Sequence, residues 1–129
     1  MLSPITNLDY TVLPCSRMRE TRAFYLEVMG FPLEVDREHW VNFRVGAVVL
    51  ALRPRDQPEP LDGEIPHAGP AAVQLAFRVP PPAVDAWHEA LVARGVPILR
   101  GPVDLPTWRH RAVFFCDPED NILEIYAEY

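Results

Sequence analysis

The stretch Met29-Gly30-Phe31-Pro32-Leu33 has a counterpart 65 positions further on, Arg94-Gly95-Val96-Pro97-Ile98, when Gly30 is aligned with Gly95. In both copies the glycine follows a segment of helical periodicity and precedes a short apolar segment. Glycine is typical of this place because it enters the left-handed conformation that ends many helices at no steric cost. The pair therefore predicts two similar halves, each with a helix that leads into a strand.

The first half extends from this stretch in both directions. Upstream, Ile5–Leu13 is predicted to be a strand, and apolar residues at helical spacing then indicate a helix that Ser16 is placed to cap. Downstream, three short strands are expected, with a tight turn at Gly46 between the last two. Their predicted ranges are Phe31–Asp36, Trp40–Val45 and Ala47–Arg53.

The second half repeats this order. Ala72–Val79 is predicted to be a strand and Ala83–Arg94 a helix, with Pro82 tolerated at its start. Three strands follow, with a turn at Asp117–Asn121 before the last: Val96–Leu99, Arg109–Cys116 and Ile122–Tyr126. Residues 54–70 are rich in proline and are interpreted as a connector; a second role as a flap over a pocket stays open.

Each half thus has the order strand, helix and three strands, and neither can bury both its sheet and its helix alone. We expect an α+β fold in which two tandem βαβββ modules, residues 1–53 and 71–129, form one domain. The eight strands are expected to form a curved, mostly antiparallel sheet around a shared cavity.

Composition excludes several classes of function. The formal net charge is −6 and there is no basic block, which disfavours nucleic acid as a partner. All twelve basic residues are arginine, so the chain has no lysine for Schiff-base chemistry. No apolar run is long enough for a transmembrane helix, and the first residues do not resemble a signal peptide. Cys15 and Cys116 lie far apart, which favours two free thiols in a reducing cytoplasm.

Alternation along the strands places a few polar residues together. Gln74 faces away from the apolar pair Leu75 and Phe77, and Glu124 stands inside an otherwise apolar strand. A buried carboxylate is costly unless it is paired or bound to a metal. A curved sheet would bring Tyr10, Gln74 and Glu124 to one concave surface.

Three stretches carry a resemblance to a known family. They are Ala23-Phe24-Tyr25 with Met29-Gly30-Phe31, the strand Gln74–Val79, and the ending Arg111-Ala-Val-Phe-Phe-Cys-Asp-Pro-Glu-Asp-Asn-Ile-Leu-Glu124. Together they resemble the vicinal-oxygen-chelate superfamily of glyoxalases, bleomycin-resistance proteins, fosfomycin-resistance enzymes and extradiol dioxygenases, over essentially the whole chain. Asp120 stands where that family usually has glycine, and Asp tolerates a left-handed turn better than most residues.

The resemblance implies where a metal would sit. Metal-dependent members carry ligands in the first, fourth, fifth and eighth strands, which correspond here to Tyr10, the strand Ala47–Arg53, Gln74 and Glu124. Ala47–Arg53 contains no carboxylate, histidine or cysteine, so Glu124 and Gln74 are the remaining metal candidates. A firm divalent site usually needs three or more good ligands. No cofactor is therefore expected, although a divalent metal stays an open alternative.

Two functions follow from the resemblance. The first is a metal-free protein that holds an aromatic or amphipathic molecule in the sheet cavity. The second is a divalent-metal-dependent lyase, isomerase or dioxygenase in which Glu124 is catalytic. The family also implies a homodimer. Candidate ligand-binding residues are Tyr10, Trp40, Gln74, Trp108, Arg111, Phe115 and Tyr126.

Several of these residues have a second interpretation. The strand aromatics suit a core as well as a pocket. Arg111 has two candidate roles, pairing with Glu124 or binding an anionic ligand. The four histidines, at positions 39, 67, 88 and 110, show no short metal-ligand spacing.

Overall fold

The computed structural model describes residue 4 and residues 8–55, 73–107 and 109–129. The chain divides into two compact units, Met1–Gly69 and Pro70–Tyr129. Each unit has one four-stranded sheet and one helical segment, in the order strand, helix, three strands, so the two predicted βαβββ modules are confirmed. Among the described residues no helix is long and apolar enough to cross a membrane.

The first unit consists of β1 (Tyr10–Cys15), α1 (Met18–Ala23), β2 (Leu33–Arg37), β3 (Trp40–Val45) and β4 (Val48–Pro54). Helix α1 continues into a π-helical turn, Phe24–Val28. The strand order is β1-β4-β3-β2; β1 runs parallel to β4, and the other neighbours are antiparallel. β1 extends beyond its predicted end because it pairs with β4 as far as Cys15 and Pro54.

The start and the end of the first helix differ in how well the sequence predicts them. Gly30 has a φ of 69° and ends the helical segment as predicted, and the Phe31 amide then donates to the Tyr25 carbonyl at 3.1 Å. The helix begins one residue later than the predicted cap at Ser16. Arg17 occupies the N-cap position, and its carbonyl accepts the first helical hydrogen bond, from Thr21, at 2.9 Å.

The core of the first unit lies between the helical segment and one face of the sheet. Tyr25 is fully buried, and its ring lies 6.0 Å from that of Phe31 and 6.1 Å from that of Phe43 on β3. Leu50 and Leu52 of β4 share this face through their register with β3. Burial of these apolar side chains away from water stabilises the unit.

The second unit consists of β5 (Gln74–Arg78), α2 (Ala83–Ala93), β6 (Ile98–Leu105), β7 (His110–Cys116) and β8 (Ile122–Glu128). Its strand order is β5-β8-β7-β6, with β5 parallel to β8 and the other pairs antiparallel. β6 is longer than predicted, since it continues through Gly101 and Pro102. Register shifts against β7 accommodate these two strand-breaking residues.

The eight predicted strands are therefore all present, divided between two mixed sheets of four. The shared cavity and the homodimer stay predictions. Most of the predicted connector, residues 56–70, lies outside the described residues, and so does its role as a flap.

The predicted turn at Asp117–Asn121 is confirmed and joins three strands. Asp117 is buried, and its Oδ1 accepts hydrogen bonds from the amides of Glu119 at 2.9 Å and Asn121 at 3.0 Å. Its Oδ2 accepts from the Asn121 side chain at 2.8 Å, and the Asn121 Oδ1 accepts from the Val73 amide just before β5. Asp120 has a φ of 64°, so it takes the left-handed conformation that its glycine-like position requires.

Replacing the Asp117 carboxylate tests this turn. Asp117→Ala leaves two turn amides without their buried acceptor, so we expect the free energy of unfolding to fall by about 2–3 kcal/mol in urea denaturation. Glu89→Ala, at an exposed position of α2, is the control and should change it by less than about 0.5 kcal/mol. Equal effects of the two substitutions would contradict this account.

Candidate functional site

Glu124 is a buried carboxylate on the face of the second sheet that α2 does not cover. Arg111 of β7 contacts Asp85 of α2, which identifies the helix-covered face as the one shared by Arg111, Val113 and Phe115. Glu124 has the opposite parity, with Phe114 as its register partner on β7 and Ala76 as its partner on β5. The side chain of Glu124 is thus on the helix-free face, and the residue is only 9% exposed.

This helix-free face brings together several of the predicted site residues. Gln74 and Tyr126 lie on it, two residues along their strands from Ala76 and Glu124 respectively. The Tyr126 ring stacks on the His110 imidazole, with centroids 4.5 Å apart and planes 27° from parallel. The structure therefore places Gln74, Glu124 and Tyr126 on one surface, as the alternation of the sequence predicts.

Burial controls the chemistry of Glu124. Desolvation raises the pKa of its carboxyl group above the usual range, while the nearby His110 acts in the opposite direction. Among the described residues, no hydrogen bond or ion pair to this carboxylate is present. Burial therefore disfavours the charged form of this carboxylate, and a cationic or hydrogen-bonding partner on this face would offset that cost.

The raised pKa predicts a pH-dependent stability. Below the ordinary carboxyl pKa Glu124 is protonated in both the folded and unfolded states; as pH rises through the raised folded pKa, ionisation costs the folded state stability. Glu124→Gln should therefore stabilise the chain near pH 7, by about 1.4 kcal/mol per unit of pKa shift, and have no such effect near pH 4. Urea denaturation at both pH values measures this.

Glu89→Gln, at an exposed position of α2, is the matched control, with the same substitution and no expected pH-dependent gain. A Glu124→Gln variant that is less stable than the parent at neutral pH would contradict the account. That result is expected only if a partner holds the carboxylate in its charged form.

Arg111 and Phe115 lie on the other face of the same sheet. The Arg111 guanidinium binds Asp85 at 2.8 Å and Asp104 at 3.0 Å, so of its two predicted roles the pairing with Glu124 is wrong. Side chains of β7 alternate between the two faces of the sheet. Arg111 therefore lies on the face opposite to that of Phe114, which is the register partner of Glu124. Phe115 is fully buried opposite Leu123, which favours its interpretation as a core residue.

Both cysteines are free thiols. Cys15 is buried, and its Sγ contacts the Leu13 carbonyl at 3.3 Å. Burial raises the pKa of the Cys116 thiol, and the carboxylates of Asp120 and Asp117 raise it further. A thiol with a raised pKa is a poor nucleophile at neutral pH.

The first unit has a corresponding helix-free face. Tyr10, Val12 and Pro14 of β1 lie on it, opposite the alternate β4 residues Val49, Ala51 and Arg53. Trp40 has the same parity as Asn42, the register partner of Ala51, and its Nε1 donates to the Asn42 Oδ1 at 2.7 Å. Tyr10 is 53% exposed, and Trp40 is half-buried. Trp108, the remaining predicted aromatic, lies outside the described residues.

Ala51 is the counterpart of Glu124 in the repeat. Val12 pairs with Ala51 as Ala76 pairs with Glu124, and Tyr10 and Gln74 each lie two residues earlier on their strands. The fourth-strand ligand position is thus a methyl group that cannot donate to a metal. Within the described ranges no group of three or more His, Cys, Asp or Glu residues is placed to hold a metal ion. These residues do not fit a firmly bound divalent metal.

Arg53 is a site residue that the sequence reasoning did not identify. It is 7% exposed, and its buried Nη1 has no hydrogen-bond partner among the described residues. Arg55 follows, with its Nη2 bound to the Pro14 carbonyl at 3.0 Å and its Nη1 likewise buried and unpartnered. The sequence does contain a signal for this residue: an arginine that shares the strand face of Val49 and Ala51, in an otherwise apolar strand.

Comparison with known proteins gives one family match and several similar proteins. Residues 7–125 match the profile of the Glyoxalase/Bleomycin resistance protein/Dioxygenase superfamily. A Salmonella typhimurium protein named Virulence protein STM3117 is 28% identical over 123 residues, which are 94% of this chain and 83% of that protein.

Two solved structures are similar over almost their whole lengths. Lactoylglutathione lyase from Agrobacterium tumefaciens has a TM-score of 0.81 at 22% identity, with 97% of this chain and 96% of that one covered. TnmS3, an antibiotic binding protein from a Streptomyces species, has a TM-score of 0.77 at 24% identity, with 99% and 100% covered. At these identities the likeness shows the fold alone.

Proposed function

This chain belongs to the glyoxalase/bleomycin resistance protein/dioxygenase superfamily, and we propose that it binds an aromatic or amphipathic small molecule without a catalytic metal. One observation carries this proposal: Ala51 occupies the repeat position whose counterpart is Glu124. Of these two corresponding positions, one in each unit, only that of Glu124 carries a side chain able to bind a divalent metal. The donor set favours binding over metal-assisted chemistry.

The remaining donors do not replace the missing carboxylate. Gln74 offers a neutral amide, and Tyr10 a phenol that is uncommon as a ligand of divalent metals. Zinc sites commonly use Cys, His, Asp or Glu, with at least three protein ligands at catalytic centres. Glu124 alone does not satisfy that requirement. Burial raises the pKa of its carboxyl group, and in the protonated form that group is able to donate a hydrogen bond to a ligand.

The aromatic side chains suit a flat ligand. In the first unit Tyr10 presents a half-exposed ring beside β4, and Trp40 lies on the same face. In the second unit Tyr126 and His110 already form a stacked pair. Flat rings offer large contact areas, with stacking contributions of about 0.5–1.5 kcal/mol beyond area burial.

The similar proteins are compatible with this proposal. TnmS3 is described as an antibiotic binding protein, while the similar Agrobacterium protein is described as a lyase. The same fold therefore serves both kinds of protein, and the residues of the individual site must decide between them. Ala51 and the lone carboxylate of Glu124 support the binding role here.

The proposal is tested by metal analysis and by binding of a neutral planar probe, naphthamide. Protein purified without chelator should contain far less than one divalent metal per chain by mass spectrometry. Naphthamide should shift amide resonances of the folded chain equally with and without EDTA. Stoichiometric metal that is lost in Glu124→Ala, with probe binding that needs the metal, would favour the lyase, isomerase or dioxygenase alternative.

Removal of one ring tests the aromatic surface. Tyr126→Ala deletes a stacking partner of the helix-free face, so we expect naphthamide affinity to fall about three- to tenfold. Tyr129→Ala is the matched control, because Tyr129 is 52% exposed and lies after the end of β8. Calorimetric titration measures both. Equal losses would mean that the probe does not bind through Tyr126.

A further inference from the structure

Arg53 is the most buried arginine of the first unit that the structure describes, and its Nη1 makes no hydrogen bond there. Two other arginines of the unit are paired with carboxylates. Arg22 binds both carboxylate oxygens of Asp36, at 2.9 and 2.6 Å, and Arg44 binds both of Glu34, at 2.6 and 3.1 Å. Two forked carboxylate pairs thus form at the exposed edge, whereas Arg53 has no such pair with any residue in the described part of the chain.

This arrangement is energetically unfavourable for the chain alone. An unpartnered donor in a buried place loses its hydrogen bonds to water, and a charged donor loses more than a neutral one. The register partner of Arg53 is Pro14, which has no side-chain acceptor, and the Pro14 carbonyl is already bound by Arg55. Arg55 adds a second cation with a buried, unpartnered Nη1. Two neighbouring cations, each with a buried Nη1 that has no acceptor among the described residues, favour the binding of an anion.

The position of Arg53 relates it to the surface described above. Arg53 lies two residues after Ala51 on the same face of β4, which is about 7 Å along the strand. On the same face of β1, Tyr10 is 53% exposed and Val12 is 37% exposed, so these two side chains are the accessible surface for the body of a ligand. A ligand that lies along this face would place the group at one of its ends beside Arg53.

We propose that the ligand is an anion, and that Arg53, with Arg55 beside it, binds its oxyanion group. The inference rests on the proposed binding function and adds the chemical class of the ligand: a planar aromatic molecule that carries a carboxylate or a phosphate. Guanidinium groups bind both kinds of oxyanion through paired N–H donors. The absent acceptor at Nη1 is the place that the ligand oxygen fills.

The experiment uses the full chain and two probes of the same shape, naphthoate and naphthamide, which differ in charge. Calorimetric titration near neutral pH should show wild type binding naphthoate about tenfold or more tightly than naphthamide. In Arg53→Gln the affinity ratio should fall to about one. Arg94→Gln, at an exposed position after α2, is the control and should keep the wild-type ratio.

The outcomes separate this inference from the proposed function. Equal affinities for the two probes in wild type would overturn the anion inference and leave the binding function standing. Binding of neither probe would overturn the binding function, and the inference would fall with it. A preference for naphthoate that survives in Arg53→Gln would also overturn the assignment of Arg53. Naphthyl phosphate is titrated in parallel to distinguish the two oxyanions. If it binds more tightly than naphthoate, the natural ligand carries a phosphate; if it binds less tightly, the natural ligand carries a carboxylate.

A thermal measurement guards against a merely structural role. Arg53→Met removes the unpaired charge but keeps a long side chain, so without ligand its melting temperature should equal or exceed that of wild type. Naphthoate should raise the melting temperature of wild type by more than that of Arg53→Met, in which naphthoate and naphthamide should have equal effects. A lower melting temperature for Arg53→Met, with the same naphthoate effect as wild type, would overturn the proposal.

Discussion

In each unit a single helical segment covers one face of a four-stranded sheet, and alternation along the strands then assigns every side chain to one of two environments. On the covered face, Tyr25 packs on Phe43 in the first unit, and Phe115 lies opposite Leu123 in the second. The other face is not required for this packing. It is therefore free to carry side chains such as Tyr10, Gln74 and Glu124, and the candidate site depends on that division.

The helix-free faces hold groups that a core would not tolerate without a partner. Glu124 is buried with a raised pKa, and Arg53 is buried with an unpartnered Nη1. Each is costly to the folded chain. Such costs are typical of functional sites, where the compensating partner arrives with the ligand. The two groups thus have a common physical interpretation, although they lie in different units.

The repeat explains why the chemistry differs between the halves. Ala51 and Glu124 occupy corresponding register positions, as do Tyr10 and Gln74. The backbone of a strand accepts any of these side chains, so the fold does not depend on which is present. A metal site does depend on it, because its ligands must be of the right kind and number. The architecture can therefore be kept while the ligand set changes.

The sequence alone determined the two modules, since glycines at 30 and 95, strand alternation and the Asp117–Asn121 turn are local signals that act through backbone conformation. It also placed Gln74, Glu124 and Tyr126 on one face. Only tertiary structure decided that Arg111 pairs with Asp85 and Asp104, and that Arg53 is buried with an Nη1 that has no acceptor among residues 8–55, 73–107 and 109–129. The reason is physical: local patterns specify the direction of a side chain, whereas its partners and its burial depend on residues far away in the chain.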